Sequence, residues 1–131
     1  MYYRNLEVWQ KSIKLVKDIY FLTNEFPVDE KFGLVAQIKR AVVSIPSNIA
    51  EGASRYSDKE SCRFVDIALG SVAEVETQLI ISKELNFIEN IDVLMEDLKE
   101  IYSMLLGLKK FYNKWTCSLA VLQTCSFSNV Q

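Results

Sequence analysis

The side chains that could do chemistry in this sequence are carboxylates and thiols, because histidine is absent from all 131 residues. Without histidine there is no Ser-His or Cys-His nucleophile pair, and the commonest metal ligand in proteins is missing. Glu74 with Glu76, or Asp66 with Glu51, could in principle hold a metal inside a helical bundle. Di-metal bundles, however, also take a Glu-x-x-His pair from two of their helices. We therefore expect no metal, no cofactor, no catalytic residue and no small-molecule substrate.

Glycine and cysteine add no catalytic motif. The four glycines are dispersed along the chain, so neither a P-loop nor a dinucleotide fingerprint is present. Cys62, Cys117 and Cys125 form an odd set without a CxxC pair, which argues against a disulfide framework. Cys62 lies next to Arg63, but a helical cysteine with no base or resolving thiol is usually inert. The sequence thus predicts a non-enzymatic protein.

Basic side chains offer a different chemistry, the binding of phosphate. Their densest group surrounds a predicted turn at Tyr56 between the second and third helices. It comprises Lys39, Arg40, Arg55, Lys59 and Arg63. The alternative is internal pairing, since folding these two helices about Tyr56 predicts the ion pairs Glu51–Arg63 and Arg40–Glu74. Both alternatives stay open here, because a long basic side chain can serve either role.

The overall charge does not indicate a polyanion-binding protein. The chain carries 15 Lys and Arg against 17 Asp and Glu, a net charge of −2. Residues 1–56 have eight basic and six acidic side chains, and residues 57–131 have seven and eleven. Solvated helix faces commonly produce an asymmetry of this size. Any nucleic-acid binding must therefore come from a local basic patch.

Apolar residues fall into four blocks with spacings of three and four, which is typical of helices that pack on one face. Half of the residues are hydrophobic, enough for a single core, and strand-type alternation is absent. Short connections predict an all-α, up-down-up-down antiparallel four-helix bundle over residues 1–115. Residues 116–131, which have few charges and no strong period, are expected to form a C-terminal tail, disordered or docked on a partner subunit.

Capping residues and apolar stripes predict where the helices lie. The first helix is expected to begin at an N-cap, Asn5, and to bury the stripe Leu6, Trp9, Ile13, Val16 and Tyr20. The third helix is expected to open with a capping box formed by Ser57 and Glu60, and to end near Asn86. The fourth is expected to end around residues 112–115.

The second predicted helix opens near Asp29 and contains a proline at position 46. An interior proline costs about 3 kcal/mol, because it removes a backbone hydrogen bond and collides with the preceding turn. The apolar stripe nevertheless keeps its phase across the proline: Val35, Ile38, Val42, Ile45, Ile49 and Gly52. We therefore predict one continuous helix kinked at Pro46.

The polar cluster around this proline is interpreted as structural. It comprises Pro46, Ser47, Asn48, Glu51 and Gly52. The Val42 carbonyl, which the proline leaves without a donor, is expected to bond the hydroxyl of Ser44 or Ser47, the Asn48 amide, or a water. Gly52 and small residues on the third helix are expected to let the two backbones approach.

Location and assembly are predicted from the apolar segments and from the placement of the aromatic residues. The N-terminus lacks the apolar core of a signal peptide, and no run approaches the roughly 18 apolar residues of a membrane span, so a cytoplasmic protein without membrane contact is expected. Many aromatic residues fall near the predicted helix ends and flanks, which favours self-association.

Three segments resemble a known family: "LEVWQKSIKLVKDIY", "FGLVAQIKRAVVSIPSNIAEGASR" and "RFVDIALGSVAEVETQL". They are similar to the four-helix-bundle proteins encoded by intervening sequences in bacterial 23S rRNA genes, over roughly residues 3–112. That family is in turn similar to the accessory variability proteins of diversity-generating retroelements. The resemblance implies a protomer that assembles into a homopentamer, without known catalysis. The retroelement relatives bind nucleic acid and a reverse transcriptase through a basic surface. Of the basic residues above, only Lys39, Arg40, Arg55 and Arg63 lie in the matching segments, so the resemblance implies such a role for these four alone.

Two hypotheses of different class follow. The first is a homo-oligomeric helical bundle that binds structured RNA or a ribonucleoprotein through its basic residues. The second is a structural or protein-interaction scaffold that touches no nucleic acid. Binding of RNA that weakens with salt distinguishes the first from the second.

Overall fold

The computed structural model describes the backbone of residues 2–128 and the side chains of residues 2–114. Within it the main helices are α1 Glu7–Leu22, α2 Leu34–Ala53, α3 Asp58–Glu84 and α4 Asp92–Ser128. Short 3-10 turns occupy Tyr3–Asn5, Thr23–Glu25 and Val28–Glu30. The described part of the chain contains no strand. The all-α four-helix bundle predicted from the sequence is confirmed.

The two central helices, α2 and α3, run antiparallel. Close to their connection, the Ser61 hydroxyl donates to the Gly52 carbonyl at 2.7 Å. Farther away, the hydroxyls of Ser44 and Ser71 lie 2.8 Å apart. Residues earlier in α2 therefore contact residues later in α3. The pairing is close to the register expected from a turn at Tyr56.

Contacts between α3 and α4 also run in opposite directions. The Lys109 ammonium donates to the Asp66 carboxylate at 2.7 Å. Nearer the start of α3, the Cys62 thiol donates to the Asn113 side-chain oxygen at 3.1 Å. These contacts fix the α3–α4 direction, while the up-down order of all four helices stays a prediction.

The core lies between the four helices and consists mainly of branched aliphatic side chains. The largest fully buried ones are Leu15, Ile19, Ile38, Ile45, Ile49, Leu79, Leu98, Ile101 and Leu105. On α1 the predicted inward face was only partly correct, since Leu6, Trp9 and Val16 are half-buried and pack against the core. Val8, Ser12, Leu15 and Ile19 are buried, whereas Ile13 and Tyr20 are each 43% exposed. Two apolar stripes run side by side along this helix, about 100° apart, and periodicity cannot tell which one the core takes.

Helix α2 passes through Pro46 without interruption, which confirms the single helix predicted from the stripe. The kink stays a prediction. The Asn48 amide donates to the Ser44 carbonyl at 2.7 Å and to its hydroxyl oxygen at 2.8 Å. This amide therefore caps the carbonyl of Ser44, not that of Val42 as was considered. Pro46 is buried, and Ser47 is exposed.

Gly52 brings α2 and α3 together. A Cβ atom at this position would lie 3.1 Å from the Ser61 carbonyl oxygen and 3.2 Å from the Phe64 Cβ. Both separations are shorter than ordinary van der Waals contact, so only glycine fits without movement. The predicted close approach of the two backbones is confirmed at this position.

Local hydrogen bonds set several helix ends. The Ser57 hydroxyl accepts from the Glu60 N–H at 3.1 Å, as the predicted capping box requires. Asn86 follows α3 with a φ of 61°, and the Phe87 N–H donates to the Ser82 carbonyl at 2.9 Å, the pattern of a Schellman cap. Asn5 is not the N-cap of α1, because it is the last residue of the 3-10 turn Tyr3–Asn5 and Leu6 takes the N-cap position.

Two predicted helix ends differ from the structure. α2 begins at Leu34, after the 3-10 turn Val28–Glu30, and not near Asp29. α4 extends to Ser128, past the end expected around residues 112–115. The side chains of the predicted tail, including Cys117 and Cys125, lie outside the described residues, so the proposed boundary at residue 116 stays a prediction.

Candidate nucleic-acid interface

The five basic residues singled out in the sequence do not form one cluster. Arg55, Lys59 and Arg63 surround the connection between α2 and α3. Lys39 lies against α1, and Arg40 lines a groove between α2 and α3. Neighbours in sequence on a helix point about 100° apart, which is why Lys39 and Arg40 face different parts of the surface.

The group around Arg55 forms a basic and aromatic surface that we call the α2–α3 turn site: Arg55, Tyr56, Lys59, Arg63 and Phe64. The Arg55 guanidinium lies over the Phe64 ring, 4.7 Å from its centroid, and the Arg63 guanidinium lies 5.9 Å from it. Tyr56 is fully exposed. Stacking on Phe64 restricts both arginines and leaves their edges available for hydrogen bonds.

Both interhelical ion pairs predicted from the sequence are wrong. Glu51 pairs with Arg55, just past the end of α2, at 2.7 Å, and Arg63 pairs with Glu60 on α3 at 3.6 Å. Partners three or four residues apart face each other on a helix without any folding, so they take precedence over partners across a turn. Lys59 makes no ion pair within the described side chains.

Lys39 is engaged with an aromatic ring. Its ammonium lies 4.6 Å from the centroid of Tyr20, beside a cavity of about 620 Å³ that Lys17, Phe21 and Glu25 also line. This contact is a cation–π interaction between α1 and α2. It removes Lys39 from the turn site and gives it a structural partner.

Arg40 and Glu74 line the same groove, as the predicted register requires, yet they form no ion pair with each other among the described residues. The Gln78 side chain lies in the same groove and is only 9% exposed. Gln78 was missed in the sequence, although its spacing of three from Val75 places it beside the buried stripe of α3. Tyr56 was predicted only as the turn between two helices. Its place next to Arg55 is the signal that could have identified it as a residue of the site.

Three other lysines, on α1 and α4, already have carboxylate partners. The Lys109 ammonium donates to Asp66, and this hydrogen bond raises the pKa of Lys109. On α1, a hydrogen bond to Glu100 raises the pKa of Lys11, and one to Asp18 raises the pKa of Lys14. These lysines stay charged at neutral pH and have carboxylate partners, so they are weaker candidates for phosphate than Lys59.

Among the side chains of residues 2–114, no three cysteine or carboxylate groups are placed to hold a metal ion. None of the helices in the described part of the chain is long and apolar enough to cross a membrane.

Comparisons with known proteins define the family. No curated protein matches the chain. A crystal structure of a protein of unknown function from the S23 ribosomal protein family of Bacteroides thetaiotaomicron is 24% identical, with a TM-score of 0.56. The match covers 82% of this chain and 95% of that one, and at this identity it supports the fold alone. A family model described as "23S rRNA-intervening sequence protein" matches residues 4–107, and the chain therefore belongs to the 23S rRNA-intervening sequence protein family.

Proposed function

We propose that this protein is a non-enzymatic, homo-oligomeric RNA-binding module, and that the α2–α3 turn site contacts the RNA backbone. The observation that carries the proposal is the convergence of Arg55, Lys59 and Arg63 on one short connection beside the fully exposed Tyr56. Phosphate groups bind lysine and arginine, and unpaired bases stack on aromatic side chains. The turn site offers both kinds of contact within a few residues.

The existing ion pairs at the turn site do not prevent phosphate binding. Arg55 and Glu51 are 44% and 54% exposed, and Arg63 and Glu60 are 67% and 47% exposed. Exposed pairs of this kind contribute little to stability, commonly about 0 to 1 kcal/mol. A phosphate can therefore replace the carboxylate at low cost, while Lys59 is available without any exchange.

Assembly would strengthen a weak single site. Around the turn, the three cations are balanced by Glu51, Asp58 and Glu60, so one copy alone provides little net attraction. Several copies in one oligomer present several turn sites to the same RNA, and linked sites raise the overall affinity without new contacts. We therefore propose that the oligomer, and not the protomer, is the binding unit, a homopentamer being the form that the family resemblance implies.

The surface that would bring copies together lies on α1 and α2. Trp9 and Val16 are half-buried, and Ile13 and Val43 are 43% and 39% exposed. Together with Tyr3 and Pro46 they line an open cavity of about 310 Å³. Trp9 and Val16 pack against the core with part of their surface, whereas Ile13 and Val43 remain exposed beside them. Light scattering tests the assembly, and a monomer at micromolar concentration would contradict it.

RNA binding is tested by titrating the full chain with a structured RNA at two salt concentrations. We expect the affinity to fall as salt rises, since phosphate binding releases counterions. Removing Lys59 or Arg63 by alanine substitution should weaken binding and make the salt dependence shallower by about one ion for each lost phosphate contact in each protomer. Lys99→Ala, an exposed lysine of α4 outside the turn site, is the matched control and should change neither quantity.

The competing function is a protein-interaction scaffold without RNA. The exposed apolar stripe of α1 and α2 is the observation that favours it, because such a surface can bind another protein as well as another copy. The same titration decides between them. Absence of binding to structured RNA at low salt would reject the RNA-binding proposal and leave the scaffold.

A further inference from the structure

A groove between α2 and α3 is lined by two opposite charges, Arg40 and Glu74, which form no ion pair with each other among the described residues. Its main cavity, of about 540 Å³, is lined by Arg40, Ser44, Ile67, Gly70, Glu74 and Gln78, among others. A neighbouring cavity of about 460 Å³ shares Gln37, Gly70, Glu74 and Gln78 with it and continues toward Ile81. We call the two together the α2–α3 groove.

Gln78, which lines this groove, has a side-chain hydrogen-bond acceptor without a donor. The Gln78 Oε1 atom is buried and has no hydrogen-bond partner in the described part of the chain. Leaving such an atom unsatisfied costs about 1 to 3 kcal/mol. Its neighbour Leu79 is fully buried in the core, so the position is fixed by packing of α3. An occupant that donates a hydrogen bond here would recover this cost.

The walls of the groove leave room for a flat group. A Cβ atom built on Gly70 has no heavy atom within 4 Å. The Ser44 and Ser71 hydroxyls bond to each other at 2.8 Å and so are already occupied. Ile67 is 41% exposed and provides an apolar surface beside them. The groove therefore combines an apolar wall with polar groups at its edges.

We propose that the α2–α3 groove binds an unpaired guanine base, which extends the proposed RNA binding and rests on it. Guanine has N–H donors at N1 and N2 side by side, which match the acceptor-only Glu74 carboxylate and the Gln78 Oε1 atom. Its O6 and N7 atoms are adjacent acceptors, the pair that arginine binds with two hydrogen bonds. Arg40 is the donor on the other side of the groove. Adenine and the pyrimidines lack this combination of adjacent donors and adjacent acceptors.

The groove lies within reach of RNA held at the turn site. Arg55 lies just past the end of α2 at Ala53, and the 13 helical steps from Arg40 to Ala53, at 1.5 Å each, separate the two arginines by about 20 Å along the helix axis. A short single-stranded segment spans this distance. The turn site would hold the backbone, and the groove would select the base, the division of roles that protein–nucleic acid contacts commonly show.

The test uses two single-stranded oligoribonucleotides that differ only by guanine or adenine at one central position. The wild-type chain should bind the guanine oligonucleotide about tenfold tighter, within the range of one good base contact. Glu74→Gln and Gln78→Met should abolish this preference and leave the affinity for the adenine oligonucleotide within about twofold, the scatter expected for a contact that is not used. Glu76→Gln, on the same helix but outside the groove, should retain the preference. Equal affinities in the wild type, or a preference that survives Glu74→Gln, would overturn the proposal.

Guanosine monophosphate alone separates this proposal from the proposed function. It should shift the amide resonances of Gly70 and Ser71 in the folded protein, and adenosine monophosphate should not. If structured RNA fails to bind but guanosine monophosphate shifts these resonances, the guanine site stands and the RNA-binding function fails. If guanosine monophosphate shifts nothing, or if adenosine monophosphate shifts the same resonances equally, the guanine assignment is overturned.

Discussion

Near Gly52, α2 and α3 are in backbone contact, whereas around Gly70 the same two helices leave an open groove. At the closed region the Ser61 hydroxyl donates to the Gly52 carbonyl at 2.7 Å and so joins the two helices. At the open region Gln78 is left without a donor, and two opposite charges face a common space. The difference shows that one helix pair supplies both rigidity and a candidate binding surface, at separate levels along its length.

The largest effect should come from filling the closed region. Gly52→Val places branched carbon atoms against the Ser61 carbonyl and the Phe64 Cβ, where even one Cβ is too close. The helices must move apart, and overpacking of this kind costs about 3 kcal/mol. Denaturant unfolding followed by circular dichroism measures it. An unchanged unfolding midpoint would mean that α2 and α3 are not in contact at Gly52 in solution.

A smaller loss should follow from deleting the hydrogen bond that joins the two helices. Ser61→Ala removes the donor to the Gly52 carbonyl at a site where Ser61 is only 3% exposed. The expected destabilisation is about 1 to 2 kcal/mol, because a buried carbonyl loses a partner. Ser54→Ala is the control: it deletes an exposed bond to the Ala50 carbonyl at 2.8 Å and should cost less than about 0.5 kcal/mol. An equal loss of stability in Ser61→Ala and Ser54→Ala would contradict a buried hydrogen bond between α2 and α3 at Ser61.

Much of the closed region could be predicted from the sequence. The stripe that crosses Pro46 without a change of phase predicted a continuous α2, and the Ser57–Glu60 pair predicted the start of α3. Both depend on interactions within a few residues or on one helix face. Asn86 was predicted as a cap for the same reason, and it adopts the left-handed conformation that the cap requires.

The open region was less predictable, because it depends on helix rotation. The register across the turn was correct and placed Arg40 near Glu74, but it could not show that the two remain unpaired. On α1, two adjacent apolar stripes left the rotation ambiguous, and the deepest face passes through Leu15 and Ile19 while Ile13 and Tyr20 of the expected stripe are exposed. A rotation of about 100° also separates Lys39 from Arg40. Position along a helix is therefore easier to predict than direction around it.

A second buried atom without a hydrogen-bond partner, in Tyr112, lies away from the groove and allows a comparison with Gln78. The Tyr112 hydroxyl is buried without a hydrogen-bond partner in the described part, as Gln78 Oε1 is, but it lines none of the cavities described above. Burial raises the pKa of Tyr112, and the nearby Cys62 and Asp58 add to the shift. Burial of Tyr112 favours the neutral phenol in the folded state. The contribution of this group to folding stability is therefore complete below the ordinary tyrosine pKa of about 10, and it is lost as the pH rises through the raised pKa of Tyr112.

Tyr112→Phe should therefore be stabilising by up to about 1 kcal/mol at pH 7, since it removes a buried hydroxyl without a partner. The advantage over the wild type should grow above pH 10, where only the wild type must keep a phenol protonated in order to fold. Denaturant unfolding at pH 7 and pH 11 measures the difference. Tyr102→Phe, at a position 43% exposed, is the control and should show no such growth. A constant difference between Tyr112→Phe and the wild type at both pH values would contradict the raised pKa.

The smallest effect should appear at Gly70, the open counterpart of Gly52. Gly70→Ala adds a methyl group where no heavy atom lies within 4 Å, and alanine in a helix is favoured over glycine by about 0.5 to 1 kcal/mol. Thermal unfolding should thus show a modest gain, matched by Gly107→Ala, whose Cβ also meets nothing within 4 Å. The two variants should differ in binding, because only the methyl group at position 70 enters the α2–α3 groove. We expect a stability gain at both positions, with the guanine preference lost only in Gly70→Ala, which would show that the groove is needed for the ligand and not for folding. A loss of stability in Gly70→Ala would contradict this, because it would mean that another group of the protein fills the groove at position 70.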